Sequence, residues 1–173
     1  MDTLALRARK EKVMMTAGTN ISFDYDNTLI RYKYVYDEDG NPIDAVYTEP
    51  HEENIETLQQ LHDEGNDIFI VTARIEGLSL PEHDNSPKPE ELIEMLDLPV
   101  RKIFYTSNRC KMDVLRDNGV TVHFDDCPEQ CDRIMDEWAQ NCSGPISVFV
   151  DAPDGINDFL KEKFSKIIGD LYE

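Results

Sequence analysis

The sequence lacks several features that would indicate a specialised class of protein. No apolar run approaches the ~18 residues needed to cross a bilayer, so we expect no membrane span. The N-terminal residues carry charges and no apolar signal core, so we do not expect export. Four cysteines, Cys110, Cys127, Cys131 and Cys142, are too few and too loosely spaced for a disulfide scaffold. They fit a reduced, cytoplasmic protein.

Positive charge is also scarce. The chain has 17 Lys and Arg against 36 Asp and Glu, which gives a formal net charge of −19 at pH 7. Such a chain repels a long phosphate backbone unless basic residues gather locally, so we do not expect extended nucleic-acid binding. The net charge is compatible with binding of a short phosphorylated end in a pocket.

The length of 173 residues and the 40% of apolar residues indicate one folded domain over residues 1–173. Strand patterns alternate with helix patterns, which predicts βαβ units in an α/β fold of the Rossmann-like, three-layer type with a mainly parallel five-stranded sheet. The predicted strands cover 20–24, 67–72, 101–106, 120–125 and 146–151. The predicted helices cover 2–15, 51–64, 90–96, 109–118, 128–140 and 155–169, the first of them within an N-terminal extension over residues 1–19.

A β-hairpin is predicted directly after the first strand. Two segments, 31–36 and 43–47, flank a turn rich in Asp, Gly, Asn and Pro. Tyr32, Tyr34 and Tyr36 alternate along the first segment. We interpret this stripe as a packed face of the hairpin and not as a platform for stacking bases.

Polar side chains follow four predicted strands where each strand ends. They are Asp24 and Asp26, then Thr72 and Arg74, then Lys111 near the start of the next helix, and finally Asp125 and Asp126. Because the carboxyl ends of parallel strands meet at one edge of a sheet, we expect these side chains to lie together. Neighbouring carboxylates raise one another's pKa unless a cation lies between them, and Mg²⁺ prefers oxygen ligands. The pattern therefore predicts a magnesium site.

The order of these residues resembles the haloacid dehalogenase superfamily of phosphohydrolases. The first motif of that family, Asp-x-Asp-x-Thr, matches Asp24 to Thr28, and the second, a Ser or Thr that ends the next strand, matches Thr72. The third, a Lys near the start of a later helix, matches Lys111. The fourth, an acidic pair, matches Asp125 and Asp126. The resemblance covers about residues 20–151.

The resemblance implies a mechanism as well as a fold. Asp24 would attack phosphorus and form an aspartyl-phosphate, and Asp26 would serve as the general acid and base. Thr72 and Lys111 would bind the phosphoryl group. The implied ligands of Mg²⁺ are Asp24, the backbone carbonyl of Asp26, Asp125 and Asp126, with the direct ligand of the acidic pair left open.

Each residue also has an ordinary interpretation when it is taken singly. Asp24 to Thr28 is a common turn sequence, and Asp125 with Asp126 suits a helix cap. Lys88 and Lys102 compete with Lys111 for the lysine role. Arg74 is as suited to a structural salt bridge as to a substrate contact. Cys127 and Cys131 lack two further ligands, so we do not expect zinc.

The intervals between motifs hold no cap domain, which resembles the capless members of the family, with residues 31–48 as a flap over the site. An open site suits a bulky substrate or a cap supplied by a partner or second subunit. Because capless members of the family include nucleic-acid 3′-end phosphatases, the resemblance implies a nucleotide or a nucleic-acid 3′-phosphate end as substrate. The alternatives are a small metabolite such as a sugar phosphate, phosphotransfer to an acceptor other than water, and a non-catalytic binding or regulatory protein. The sequence does not indicate an oligomeric state.

Overall fold

The computed structural model describes residues 18–77, 85–141 and 144–149, in which strands and helices alternate. The strands are β1 (Asn20–Phe23), β2 (Ile30–Tyr36), β3 (Pro42–Pro50), β4 (Asp67–Thr72), β5 (Val100–Tyr105), β6 (Val120–Asp125) and β7 (Ile146–Phe149). The helices are α1 (Glu52–Asp63), α2 (Pro89–Leu96), α3 (Met112–Asp117) and α4 (Pro128–Asn141). The helices predicted over 2–15 and 155–169 lie outside the described residues.

The central sheet has the strand order β5-β4-β1-β6-β7, and neighbouring strands run parallel throughout. The predicted α/β class with a mainly parallel sheet flanked by helices is confirmed. The chain builds outward from β1 through β4 to β5 and then returns to the other side of β1. That change of direction leaves a crevice between β1 and β6 at the carboxyl edge, where ligands bind in folds of this kind.

Apolar side chains pack on both faces of the sheet because successive strand residues point in opposite directions. Ile70 belongs to one cluster, together with Leu58 of α1 and Leu92 of α2. Val71, the next residue along β4, belongs to a second cluster with Leu115 of α3. No helix of the described residues is long and apolar enough to cross a membrane.

The helix after β5 is shorter than predicted. We expected it over 109–118, but α3 begins at Met112. A left-handed turn separates β5 from this helix, with φ angles of 53° at Ser107 and 59° at Asn108. Two successive non-glycine residues in this region cost free energy. They turn the chain so that Lys111 stands at the first turn of α3.

The predicted hairpin is present, and its strands β2 and β3 are longer than expected. They form a separate antiparallel two-stranded sheet. Our interpretation of the tyrosine stripe as a packed face is correct only for Tyr32, whose ring meets that of Tyr47 edge-on at 6.5 Å. Tyr34 is 43% exposed and Tyr36 is 58% exposed, so the interpretation is wrong for these two. Towards the turn, the ribbon packs against no further layer among the residues that the structure describes.

Candidate active site and metal centre

Three carboxylates converge at the carboxyl edge of the sheet. Asp24 follows β1, Asp125 ends β6, and Asp126 comes next in the chain. The backbone N–H of Asp24 donates to the carbonyl of Phe124 at 2.7 Å, which fixes the two strand ends side by side. Each of the three residues offers a carboxylate oxygen, and these oxygens lie within 4.8 Å of one another. The fold therefore brings together three of the predicted metal ligands.

Lys111 lies between two of these carboxylates. Its Nζ donates to Oδ1 of Asp24 at 2.5 Å and to Oδ2 of Asp125 at 2.7 Å. Burial by itself would lower the pKa of Lys111, but the two carboxylates outweigh burial and raise that pKa above its ordinary value. The ammonium group is therefore charged although the residue is only 2% exposed. The competing lysines lie elsewhere: Lys88 caps α2, and Lys102 lies over the ring of Phe104.

Negative charge in the cluster exceeds what one lysine neutralises. Burial raises the pKa of Asp24 well above its ordinary value; Lys111 opposes this increase, and the charges of Asp125 and Asp126 add to it. Burial, followed by the charge of Asp125, raises the pKa of Asp126 to about 6. The ionised forms of Asp24 and Asp126 are therefore disfavoured unless another cation binds beside them. An all-oxygen donor set with this deficit fits a hard divalent cation such as Mg²⁺.

Sequence reasoning missed His123, which lies behind Asp125 and is fully buried. Its Nε2 is 2.9 Å from Oδ2 of Asp125, and its Nδ1 is 2.8 Å from the hydroxyl of Ser22. Burial lowers the pKa of His123, which favours the neutral ring. Because an ionised carboxylate only accepts hydrogen bonds, Nε2–H donates to Asp125 and Nδ1 accepts from Ser22.

Asp125 is held on both of its oxygens. The backbone N–H of Cys127 donates to Oδ1 at 2.8 Å, whereas Oδ2 accepts from His123 and Lys111. Burial would raise the pKa of Asp125, but these hydrogen bonds hold that pKa well below its ordinary value. Asp125 is therefore ionised and fixed in orientation, as a metal ligand needs to be.

Asp26 has different partners from Asp24. The guanidinium of Arg74 binds it through two nitrogens, with Nη2 at 2.6 Å from Oδ1 and Nε at 2.9 Å from Oδ2. The hydroxyl of Tyr32, on β2 of the hairpin, donates to Oδ1 at 2.8 Å. Tyr32 is a second residue that sequence reasoning missed, because pairing between a hairpin and a loop leaves no local pattern. Together these contacts fix the direction of the Asp26 carboxylate.

Arg74 uses its other donors within the protein as well. Nη2 donates to the hydroxyl of Ser86 at 2.9 Å, and Nη1 donates to the carbonyl of Pro87 at 3.3 Å. The guanidinium also lies 4.6 Å from the ring centre of Tyr25. Of the two roles that the sequence left open, the structural salt bridge is present. Phosphate binding by Arg74 stays a prediction, and few of its donors are left to do it.

The two threonines of the motifs are both buried. Thr72 ends β4, and its Oγ1 accepts from the backbone N–H of Arg74 at 3.2 Å, which leaves the hydroxyl proton to donate elsewhere. Thr28 holds the loop that follows β1 through its carbonyl, which accepts from Nδ2 of Asn54 of α1 at 2.7 Å. The hydroxyl oxygen of Thr28 is buried without a hydrogen-bond partner among the described residues.

Comparison with known proteins adds nothing to this geometry. No family model matches the chain, and no curated protein matches it. The function is therefore argued from the residues of the site.

Proposed function

We propose that the protein is a Mg²⁺-dependent phosphatase of the haloacid dehalogenase type, which hydrolyses a phosphomonoester through an aspartyl-phosphate on Asp24. The observation that carries the proposal is the meeting of Asp24, Asp125 and Asp126 around a buried lysine. Burying carboxylates is costly, and an ordinary turn or helix cap would leave them in water. Binding of a cation and a phosphoryl group would explain why these carboxylates are buried.

Asp24, Asp125 and Asp126 would hold the cation. Bound there, Mg²⁺ would supply positive charge that offsets the repulsion between the carboxylates and the phosphoryl oxygens. Lys111 already touches Asp24 and adds a second positive charge beside the phosphorus position. The hydroxyl of Thr72 is a donor for a phosphoryl oxygen.

The two aspartates of the first motif divide the chemistry. A carboxylate oxygen of Asp24 attacks phosphorus while the bond between phosphorus and the leaving oxygen breaks, and Asp26, which enters this step in its protonated form, gives that oxygen the proton. Water then attacks the phosphorus of the aspartyl-phosphate and passes a proton to Asp26. The bond between phosphorus and Asp24 breaks, which releases orthophosphate and restores both carboxyl groups to their starting states.

The proposal is tested by turnover of p-nitrophenyl phosphate with Mg²⁺ and after removal of Mg²⁺ with EDTA. We expect Asp24→Asn to lower kcat by ~10⁴-fold or more because the nucleophile is lost. Asp113→Asn is the matched control: this α3 side chain is 84% exposed and lies outside the site, so activity should be unchanged. Full Mg²⁺-dependent activity in Asp24→Asn would contradict the proposal. Wild-type inactivity towards nucleotides, 3′-phosphorylated oligonucleotides, sugar phosphates and phosphopeptides would favour a binding or regulatory protein.

A further inference from the structure

The β2–β3 hairpin starts inside the site and leads away from it. The hydroxyl of Tyr32 contacts Asp26, and that of Tyr34 accepts from Nδ2 of Asn27 at 2.7 Å. Residues two apart in a strand share a face, so Tyr36 continues the same line. We call Tyr32, Tyr34 and Tyr36 the tyrosine row.

The outer two members of the tyrosine row leave much of their surface in solvent. Tyr34 is 43% exposed although its hydroxyl contacts Asn27, and Tyr36 is 58% exposed. The residue opposite Tyr34 on β3 is Ala45, whose methyl group is too short to cover a tyrosine ring. The tyrosine row therefore presents aromatic surface directly beside the loop that follows β1.

The in-line geometry of the proposed reaction places the leaving group on the side of the tyrosine row. In phosphoryl transfer the attacking and leaving oxygens lie roughly in line across the phosphorus. With Asp24 on one side, the leaving group lies on the side of Asp26, which protonates it. Because Tyr32 contacts Asp26, the hairpin adjoins the side on which the leaving group lies.

The charge around the hairpin turn restricts which leaving group fits there. Asp37, Glu38 and Asp39 form the turn, and hydrogen bonds from Asn41 keep the pKa of Asp37 below its ordinary value. Arg31, at the base of β2, is paired with Glu49 at 3.6 Å. A phosphodiester chain laid along the tyrosine row would run into these carboxylates. A flat leaving group with no further phosphate would not.

Building on the proposed phosphatase function, we propose that the tyrosine row is the leaving-group subsite and that the substrate is a nucleoside monophosphate whose base stacks on Tyr34 and Tyr36. Every base has an aromatic face, so stacking tolerates different bases. An oligonucleotide laid along the tyrosine row is the poorer substrate, because its phosphodiester chain runs towards the acidic turn.

The kinetic test compares adenosine 5′- and 3′-monophosphate with ribose 5-phosphate and with a dinucleotide that carries one terminal phosphate. Relative to Tyr34→Phe, which also loses the hydrogen bond to Asn27, Tyr34→Ala should raise KM for the mononucleotides about tenfold, within the range expected for one stacked base, with no matching rise for ribose 5-phosphate. Tyr34→Phe keeps the ring and should keep the KM. Val46→Ala is the matched control, since Val46 pairs with Lys33 on the other face of the hairpin and is 39% exposed.

Equal effects of Tyr34→Ala on adenosine monophosphate and ribose 5-phosphate would overturn the subsite while leaving the phosphatase proposal intact. A wild-type preference for the dinucleotide would overturn the substrate class. A cavity of about 350 Å³ beyond Arg74, lined in part by Tyr105, is the competing place for the leaving group. A KM increase in Tyr105→Ala with none in Tyr34→Ala would place the leaving group there and overturn the proposal.

A binding experiment tests the subsite independently of turnover. Adenosine is titrated into the metal-free protein and followed by NMR. Chemical-shift changes should saturate for the wild type and for Val46→Ala, and should be lost in the double variant Tyr34→Ala/Tyr36→Ala. Adenosine binding that survives the double substitution would overturn the subsite. This result stands even if the wild type hydrolyses no phosphate ester.

Discussion

Asp24 and Asp26 lie two residues apart, yet the protein surrounds them differently. We call Asp24, Lys111, Asp125 and His123 the Asp24 side: each is buried, and His123 and Asp125 belong to a strand of the sheet. We call Asp26, Arg74 and Tyr32 the Asp26 side: these lie in loops and the hairpin, and the Asp26 side chain is 25% exposed. Backbone pairing places Asp24, His123 and Asp125, whereas contacts between side chains fix the Asp26 side.

This difference matches the division of labour that we propose. A nucleophile and a metal ligand need one fixed position, which adjacent strands provide. A group that transfers a proton to and from changing partners needs access to the leaving group and to water. The comparison leads to expectations for each side that differ in size and in kind.

The largest effect is expected from removing the charge at the centre of the Asp24 side. Lys111→Met removes the positive charge from between the buried carboxylates of Asp24 and Asp125, which should lower the free energy of unfolding by about 3–5 kcal/mol in metal-free protein. Urea unfolding measures this loss, and saturating Mg²⁺ should restore part of it because the cation binds the folded state. Lys102→Met, on β5, is the matched control and should change stability little. A loss that Mg²⁺ does not reduce would argue against a cation site here.

On the Asp26 side we expect an effect on rate more than on stability. Arg74→Lys keeps the charge but loses the two-nitrogen contact, so kcat should fall by roughly 10²-fold while the unfolding midpoint changes little. Steady-state kinetics with saturating Mg²⁺ separates two roles: a fall in kcat indicates that Arg74 positions Asp26. A rise in KM with kcat unchanged would indicate phosphate binding instead. Arg101→Lys, on the exposed strand β5, is the control.

The sequence was sufficient to predict much of the sheet and of the Asp24 side. Periodicity places Asp24, Thr72 and Asp125 at strand ends, and parallel pairing then brings the ends of β1 and β6 together. Lys111 was predictable only as one of three lysines, because the left-handed turn at Ser107 and Asn108 that positions it has no strong sequence signal. Neither residue is a glycine.

The missed residues were missed for physical reasons. His123 belongs to none of the motifs that the sequence offers, because its partners come from the sheet. Ser22 of β1 pairs with His123 of β6, and Asp24 and Asp125 each follow two residues later. This repeated spacing of two residues could have been used to predict that His123 lies behind the site. The contact of Tyr32 with Asp26 depends on how the hairpin folds back, which periodicity does not encode.

A moderate effect is expected behind the metal ligands. His123→Leu removes the donor to Asp125, so the affinity for Mg²⁺ should fall by about 10- to 100-fold. His123→Gln retains an amide donor and should keep more of the affinity. Calorimetric titration with Mg²⁺ measures both variants without any substrate. Tyr32→Phe, which alters the Asp26 side alone, should bind Mg²⁺ as the wild type does; weaker binding in that variant would break the distinction between the two sides.

The smallest effect concerns the pH dependence of metal binding. Because the pKa of Asp126 is raised to about 6 in the metal-free protein, its carboxyl group is mostly ionised at pH 7 and mostly protonated at pH 5. Cations bind the carboxylate, so Mg²⁺ affinity should fall as pH decreases through about 6, by up to tenfold per pH unit. The raised pKa of Asp24 acts in the same direction, so the variant Asp126→Asn is needed to separate the two. We expect it to bind Mg²⁺ more weakly at pH 7 and with a flatter pH profile, whereas the control Asp113→Asn should keep the full slope. An unchanged slope in Asp126→Asn would assign the protons released to Asp24 and would place Asp126 outside the group of residues that hold the cation.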